Sequence, residues 1–230
     1  KRYGGRVIAQ VKRVVQTGSL NPKEVTVPGV FIDDIVVCEN PLEEHRQTSS
    51  WYFDPSYCGQ ARVPQENIPA ASFNERKFIA RRGAMELYHG AVVNLGTGIP
   101  NDMVGRGISD DIMITVESGI YGGVQAGGID FGIGQNLYAM IGHHEQMDYY
   151  NGAGVDITYM GIGELGEDGS VNSTKMGVRC TGAGGFIDIT QNAKKVVFLG
   201  TFTAGGAKYK FENRKLEILQ EGKIRKMVRQ

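Results

Sequence analysis

The sequence predicts an α/β protein built on an open, mostly parallel sheet, with part of a second such unit at its amino end. Three observations predict it. Its short apolar runs are continuous rather than alternating, as expected of strands buried on both faces. Glycine clusters follow those runs, in a chain with 33 glycines among 230 residues, about twice the usual 7% share. A helix-start signal then separates the larger unit from a long, proline-bearing connection.

Val7 to Val11 is the first predicted strand, and Ile35-Val36-Val37-Cys38 the second, with Pro22 and Pro28 breaking the chain between them. Residues 39–74 carry Pro41, Pro55, Pro64 and Pro69 without helical or strand periodicity. A loop of that length is uncommon inside one compact body, so it reads as an inter-domain connection whose aromatics (Trp51, Tyr52, Phe53, Tyr57) pin it to a surface. The expected division is therefore 1–38, 39–74 and 75–230. Ser72-x-x-Glu75 has capping-box spacing and predicts a helix running towards Gly90. Strands are predicted at Ala91–Leu95, Ile112–Val116, Val155–Met160 and Val196–Phe202. Ala207–Phe211 and Leu216–Leu219 alternate around Asn213-Arg214-Lys215 and predict an antiparallel hairpin.

Lys plus Arg and Asp plus Glu are each 25, a balance that argues against nucleic-acid binding. No apolar run approaches the ~18 residues of a membrane span. The amino end, Lys1-Arg2-Tyr3-Gly4-Gly5, is neither a Met start nor a signal peptide and reads as the interior of a longer chain. Cys38, Cys58 and Cys180 are far apart and form no C-x-x-C pair. That pattern gives neither a disulfide framework nor a zinc site, and it fits a reducing cytoplasm.

Ligands of open α/β sheets bind beyond the carboxyl ends of the strands. Gly96-Thr97-Gly98 follows one such strand, where it is either an amide cradle for an anion or thioester oxygen or only a tight turn. The third glycine of a dinucleotide fingerprint is missing, since Asp102 and Met103 occupy that position. Glu117 ends another strand and precedes Ser118-Gly119, Gly122-Gly123 and Gly127-Gly128, which leave room for a bulky substrate. Read from composition alone, a solvated glutamate at a strand end is the favoured reading. Thr181-Gly182-Ala183-Gly184-Gly185 offers either a concave set of amides or a chain reversal. His143-His144-Glu145 lacks the further ligands of a metal site, and none is expected.

Taken together, these segments resemble family I coenzyme A transferases, in the branch of single-chain acetate or propionate CoA-transferases. The resemblance rests on Val93 to Pro100, Thr115-Val116-Glu117-Ser118-Gly119, Gly122 to Gly128, Cys180 to Gln191 and Gly200 to Gly206. Gly4 to Ile8 and Val27 to Val30 are similar to the end of the family's amino-terminal half. The resemblance implies an open sheet of the CoA-transferase type, with Glu117 as nucleophile. It also implies that Gly96, Thr97, Gly98, Ile99 and Pro100, with Gly182, Gly184 and Gly185, line the coenzyme A and oxyanion region.

Against the family pattern, most of the first half is absent, including a glycine-rich loop opposite the glutamate, as is the carboxyl-terminal end. Asn101 to Ile112 is several residues short around Gly105-Arg106-Gly107.

The implied reaction is ping-pong transfer of coenzyme A between a short-chain acyl-CoA and a carboxylic acid through a γ-glutamyl-CoA thioester. Coenzyme A is then both substrate and covalent intermediate, with no tightly bound cofactor. The expected protein is a cytoplasmic homo-oligomer, dimer or tetramer, without nucleic-acid or membrane partners. An acyl-CoA hydrolase on the same scaffold, a non-catalytic CoA or nucleotide-binding module and a piece that completes its sheet against a partner are the alternatives.

Overall fold

The computed structural model describes residues 3–70, 72–103, 111–152 and 154–229. The shortened stretch around Gly105-Arg106-Gly107 lies outside these residues. Two compact units form, 1–54 and 55–230.

In the first unit, β1 (Ile8–Val11) and β2 (Asp34–Val37) pair in parallel, Ile8 opposite Asp34 and Val11 opposite Val37. Pro22 and Gly29 open the short 3-10 turns of the crossover, so no α-helix forms there. A one-turn helix, α1 (Pro41–Glu44), follows.

The second unit contains α2 (Glu75–Ala84), β3 (Val92–Leu95), β4 (Met113–Val116), β5 (Ile120–Tyr121), β6 (Val124–Gln125), β7 (Gly134–Gln135) and β8 (Ala139–Met140). After these come α3 (His143–Gly152), β9 (Ile157–Gly161), β10 (Glu164–Gly166), β11 (Val171–Asn172), β12 (Lys175–Met176), β13 (Arg179–Cys180), α4 (Phe186–Asn192) and β14 (Lys195–Leu199). Next comes the antiparallel hairpin of β15 (Lys208–Glu212) and β16 (Lys215–Gln220), turned by Asn213 and Arg214 at positive φ, the geometry of a two-residue hairpin turn; Ile224–Arg225 and Met227–Val228 then pair back onto Thr203–Ala204 and β10.

The main sheet has the order β14-β9-β3-β4-β5-β8. Its first four strands are parallel, and β5 and β8 extend it antiparallel. Val93, Leu95, Ile114, Ile157 and Tyr159 point to one face, where they pack with Ala80 of α2, Met103 and Leu199. Tyr150 of α3 and Ile189 of α4 pack on the other with Val155 and Met160. Burial on both faces is why these strands read as unbroken apolar runs. The Tyr159 hydroxyl donates to the Gly83 carbonyl at 3.0 Å, fixing α2 to the sheet without leaving a buried polar group unpaired.

Four expectations move. The α2 cap is Asn74, whose side chain accepts from Lys77 N, rather than Ser72; the helix ends at Ala84, short of Gly90. The fourth core strand stops at Leu199 instead of Phe202. The glycine-rich stretch after Glu117, expected to be open loop, instead folds into β5 to β8. Among the described residues, no helix is long and apolar enough to cross a membrane.

Within this unit, Asn136 clasps the chain at Val63: its Oδ1 accepts from Val63 N at 2.9 Å and its Nδ2 donates to Val63 O at 2.8 Å. It does so from φ +58°, a conformation asparagine and glycine tolerate best. Asn136→Ala should lower unfolding stability by about 2–3 kcal/mol, from two lost hydrogen bonds plus backbone strain. Asn136→Gly should cost about 1 kcal/mol less, because it keeps the backbone conformation. Urea midpoints at constant m-value check this, and equal losses for the two variants would contradict it.

Candidate active site

The connections of the parallel sheet set the location of a binding crevice. From β3 the chain moves to β4 on one side, whereas from β9 it moves to β14 on the other. The carboxyl ends of β3 and β9 therefore flank the point where the connections diverge, the place where open α/β sheets bind ligands.

Glu117 is held at the rim of this crevice by the hairpin joining β4 to β5. Val116 pairs with Ile120, leaving Glu117-Ser118-Gly119 as a three-residue loop, and Gly119 N donates to Val116 O at 2.9 Å. Gly119 has φ +100°, and a Cβ there would lie 2.1 Å from the Ile141 carbonyl oxygen. Ile141 N donates to Gly119 O at 2.8 Å, so a hydrogen bond of the sheet edge holds the two segments this close. Only glycine closes the loop in this way.

The Glu117 carboxyl is partly buried, and loss of hydration pushes its pKa above the usual carboxylate range. Its own backbone N–H, the Asn94 side chain and the charge of His143 oppose that rise. Asn94 Nδ2 donates to Glu117 Oε2 at 3.4 Å.

A cavity of about 370 Å³ opens beside the carboxylate. Of the residues singled out by the sequence, it brings together Glu117, Gly96, Thr97, Gly182, Gly184 and Gly185. Gly96 narrows the floor: its N–H donates to Tyr159 O at 2.8 Å, and a Cβ would lie 2.9 Å from that same oxygen. Gly98 and Ile99 line a second cavity of about 420 Å³, which shares only Thr97, Gly161 and Ile162 with the first and also meets Arg76 and Lys226. Pro100 is buried at the head of a 3-10 turn, Pro100–Met103. The segment His143-His144-Glu145 has a structural use: Glu145 Oε2 accepts from Gly142 N at 2.7 Å, which caps the start of α3. Among the described residues, no group of three His, Cys, Asp or Glu side chains is arranged to hold a metal ion.

Sequence reasoning missed one wall of the cavity, Met160 to Gly163 with Ser173 and Met176. Gly161-Ile162-Gly163 carried a usable signal, because it repeats the strand-then-G-x-G pattern of Gly96-Thr97-Gly98. Asn94 was also missed, although it is the one amide inside an otherwise apolar strand.

No family model matches the chain. Curated relatives do. All of the chain is 38% identical, over 239 residues, to a caffeate CoA-transferase of Acetobacterium woodii, of which it covers 45%. It is 36% identical over 231 residues to the acetate CoA-transferase YdiF of Escherichia coli K12, with 99% of the chain and 43% of that relative covered. A crystal structure of the acyl-CoA transferase YdiF from Escherichia coli O157:H7, as a thioester complex with CoA, superposes with a TM-score of 0.76 at 36% identity, over 99% of this chain and 42% of that one. The chain thus spans less than half the length of each. Its similarity runs through both units: along its whole length the chain is homologous to coenzyme A transferases, the family that its sequence resembles.

Proposed function

We propose that this chain carries the nucleophile of an enzyme that transfers coenzyme A between a short-chain acyl-CoA and a carboxylic acid. One observation carries the reading: a partly desolvated carboxylate, Glu117, stands on a rigid hairpin loop and faces a cavity walled by glycine segments. The relatives' names, acetate and caffeate CoA-transferase, support a carboxylic acid as the acceptor. The thioester complex of the E. coli protein supports a thioester stage in the reaction.

The chemistry follows from the carboxylate. An ionised glutamate needs no general base to attack a carbonyl. One Glu117 oxygen adds to the acyl-CoA thioester carbon; the tetrahedral intermediate collapses to a mixed anhydride and expels the CoA thiolate. The thiolate adds to the glutamyl carbonyl carbon, and collapse releases the first acid as its carboxylate, leaving a γ-glutamyl-CoA thioester. The acceptor acid reverses both steps. Because the thioester is exchanged rather than made, the reaction calls for no ATP. Each addition puts negative charge on a carbonyl oxygen, where one positioned donor is worth about 2.7–4 kcal/mol. The amides of Thr97, Gly184 and Gly185 are candidates for that role, whereas Gly96 and Gly182, whose N–H groups are bonded to Tyr159 O and Thr174 O, are candidates for lining the coenzyme A site. Gly98, Ile99 and Pro100 belong to the same loop and would shape it from behind. The free thiols of Cys38, Cys58 and Cys180 suit a reducing cytoplasm. Assembly as a homo-oligomer, dimer or tetramer, is part of the same reading and is testable by sedimentation.

In the complete protein, Glu117→Gln should reduce CoA transfer from acetyl-CoA to propionate by about 10³-fold or more. Glu117→Asp should lose most of it too, since a nucleophile withdrawn by about 1 Å leaves its line of attack. Propionyl-CoA formation is the readout. Full activity of Glu117→Gln, or acetyl-CoA consumption that ignores the acceptor as in a hydrolase, would overturn the proposal.

Stability should move the opposite way. Burial raises the Glu117 pKa, so the folded protein holds this proton to higher pH than the unfolded chain, whose value is about 4.3. Ionisation therefore weakens folding: its cost is absent below pH about 4 and grows as pH rises through the folded pKa. Glu117→Gln should match the parent's Tm near pH 4 and exceed it at pH 8 by about 2–4 °C per kcal/mol relieved. A lower Tm than the parent at pH 8 would contradict the burial argument.

A further inference from the structure

We propose that the hydroxyls of Thr158, Thr115 and Tyr150 aim the Asn94 amide so that it presents a hydrogen to the Glu117 oxygen on which charge accumulates. The proposal rests on the reading of Glu117 as nucleophile. Asn94 then acts on the reacting carboxylate, while the three hydroxyls are positioning groups behind it.

The arrangement begins with register. Asn94 of β3 lies opposite Thr115 of β4 on one side and Thr158 of β9 on the other. The three side chains form a polar row across the middle of the parallel sheet, each with no exposed surface. Their strand neighbours Val93, Leu95, Ile114, Val116, Ile157 and Tyr159 are all apolar core residues. Tyr150 of α3, 1% exposed, brings its hydroxyl onto the row. A buried polar row inside such a core is tolerated only if its members satisfy one another.

Counting protons fixes the direction of every bond. Thr115 Oγ1 has a single hydrogen and donates it to Val93 O at 2.9 Å. Its 2.8 Å contact with the Tyr150 hydroxyl must therefore carry the tyrosine proton. Tyr150 is left as an acceptor, and Asn94 Nδ2 donates to it at 3.1 Å. On the far side, Thr158 Oγ1 donates to Asn94 Oδ1 at 2.8 Å. The second hydrogen on Asn94 Nδ2 is directed to Glu117 Oε2, 3.4 Å away, a separation of the kind resting active sites show before substrate tightens them. A flipped amide fails twice. It would set its oxygen against the carboxylate, and it would draw the Tyr150 proton away from Thr115, leaving that 2.8 Å contact with none.

The fold thus sets the donor before substrate arrives. When the CoA thiolate adds to the glutamyl carbonyl carbon, the carbonyl π pair moves onto the glutamyl oxygen, and the Asn94 N–H already faces Oε2. On collapse the pair re-forms the carbonyl and the acid leaves as its carboxylate. In the resting enzyme the same N–H favours the ionised over the protonated carboxyl. Among the described residues, the titratable groups acting on or acted on by Glu117 are His143 and Tyr150, both on α3, so substitutions at Thr158 on β9 report on the relay from a different element.

In the complete protein, Thr158→Val and Tyr150→Phe should each lower kcat for CoA transfer about tenfold, leave KM for both substrates unchanged and move the acid limb of the kcat–pH profile upward. Thr158→Ser, which keeps the hydroxyl, should restore both kcat and the limb. Adding Tyr150→Phe to Asn94→Leu should move the limb no further, because the relay acts through Asn94. Wild-type kcat and limb in Tyr150→Phe and Thr158→Val, with Glu117→Gln inactive, would overturn the relay and leave the nucleophile standing. Additive effects of Tyr150→Phe and Asn94→Leu would also overturn it, as would a lowered Tm with no change in kcat or limb. Retained turnover in Glu117→Gln would overturn the nucleophile and the relay together.

Discussion

A carboxylate withdrawn from water is the constraint on which the rest of this structure depends. Desolvation penalises its charge, yet the proposed attack on a thioester needs the charged form, so the surroundings must recover part of what hydration supplied. Glu117 is placed where that compromise is possible. It stands at a strand end with one side towards a cavity and the other towards a saturated row of polar side chains. A fully solvated glutamate would ionise readily but attack weakly through its water shell. Without Asn94 and His143, burial would push the Glu117 pKa up further.

The fold meets this demand with few parts. Parallel strands end in register, so residues distant in sequence reach one rim: Gly96 after β3, Glu117 after β4 and Gly161 to Gly163 at the end of β9. The connections diverge at β3 and β9, where open α/β sheets bind ligands. Glycine acts in two distinct ways there. At Gly119 it permits a positive φ and contact with the Ile141 carbonyl, which stiffens the loop carrying Glu117. At Gly96 it lets β3 and β9 stay hydrogen-bonded up to the cavity floor. Polar residues within the sheet, which cost stability in an ordinary core, hold one amide in a single orientation.

Much of this was legible in the sequence. The central strands could be read because burial on both faces leaves unbroken apolar runs, and the closing hairpin because alternation flanks Asn213 and Arg214. Glu117 was visible as a strand-end carboxylate among glycines, and the family resemblance gave it a role. Other features depend on long-range geometry. Ser72 and Asn74 are both good caps; the choice of Asn74 follows from which side chain reaches the Lys77 amide. The two-residue strands β5 to β8 are too short to show a period, so the glycine stretch read as loop. Gly98 and Ile99 turn towards a second cavity because the loop after β3 has two sides. Asn94 was missed because its partners Thr115, Thr158 and Tyr150 meet it only through register and the docking of α3.

The central claim is that Glu117 becomes covalently attached to coenzyme A. The most direct measurement treats the complete protein with an acyl-CoA, reduces the trapped thioester with borohydride and maps the product by peptide mass spectrometry. The account predicts that residue 117 is converted from glutamate to the corresponding alcohol, dependent on acyl-CoA. Reduction at a different residue, or CoA transfer proceeding with residue 117 unmodified, would contradict it.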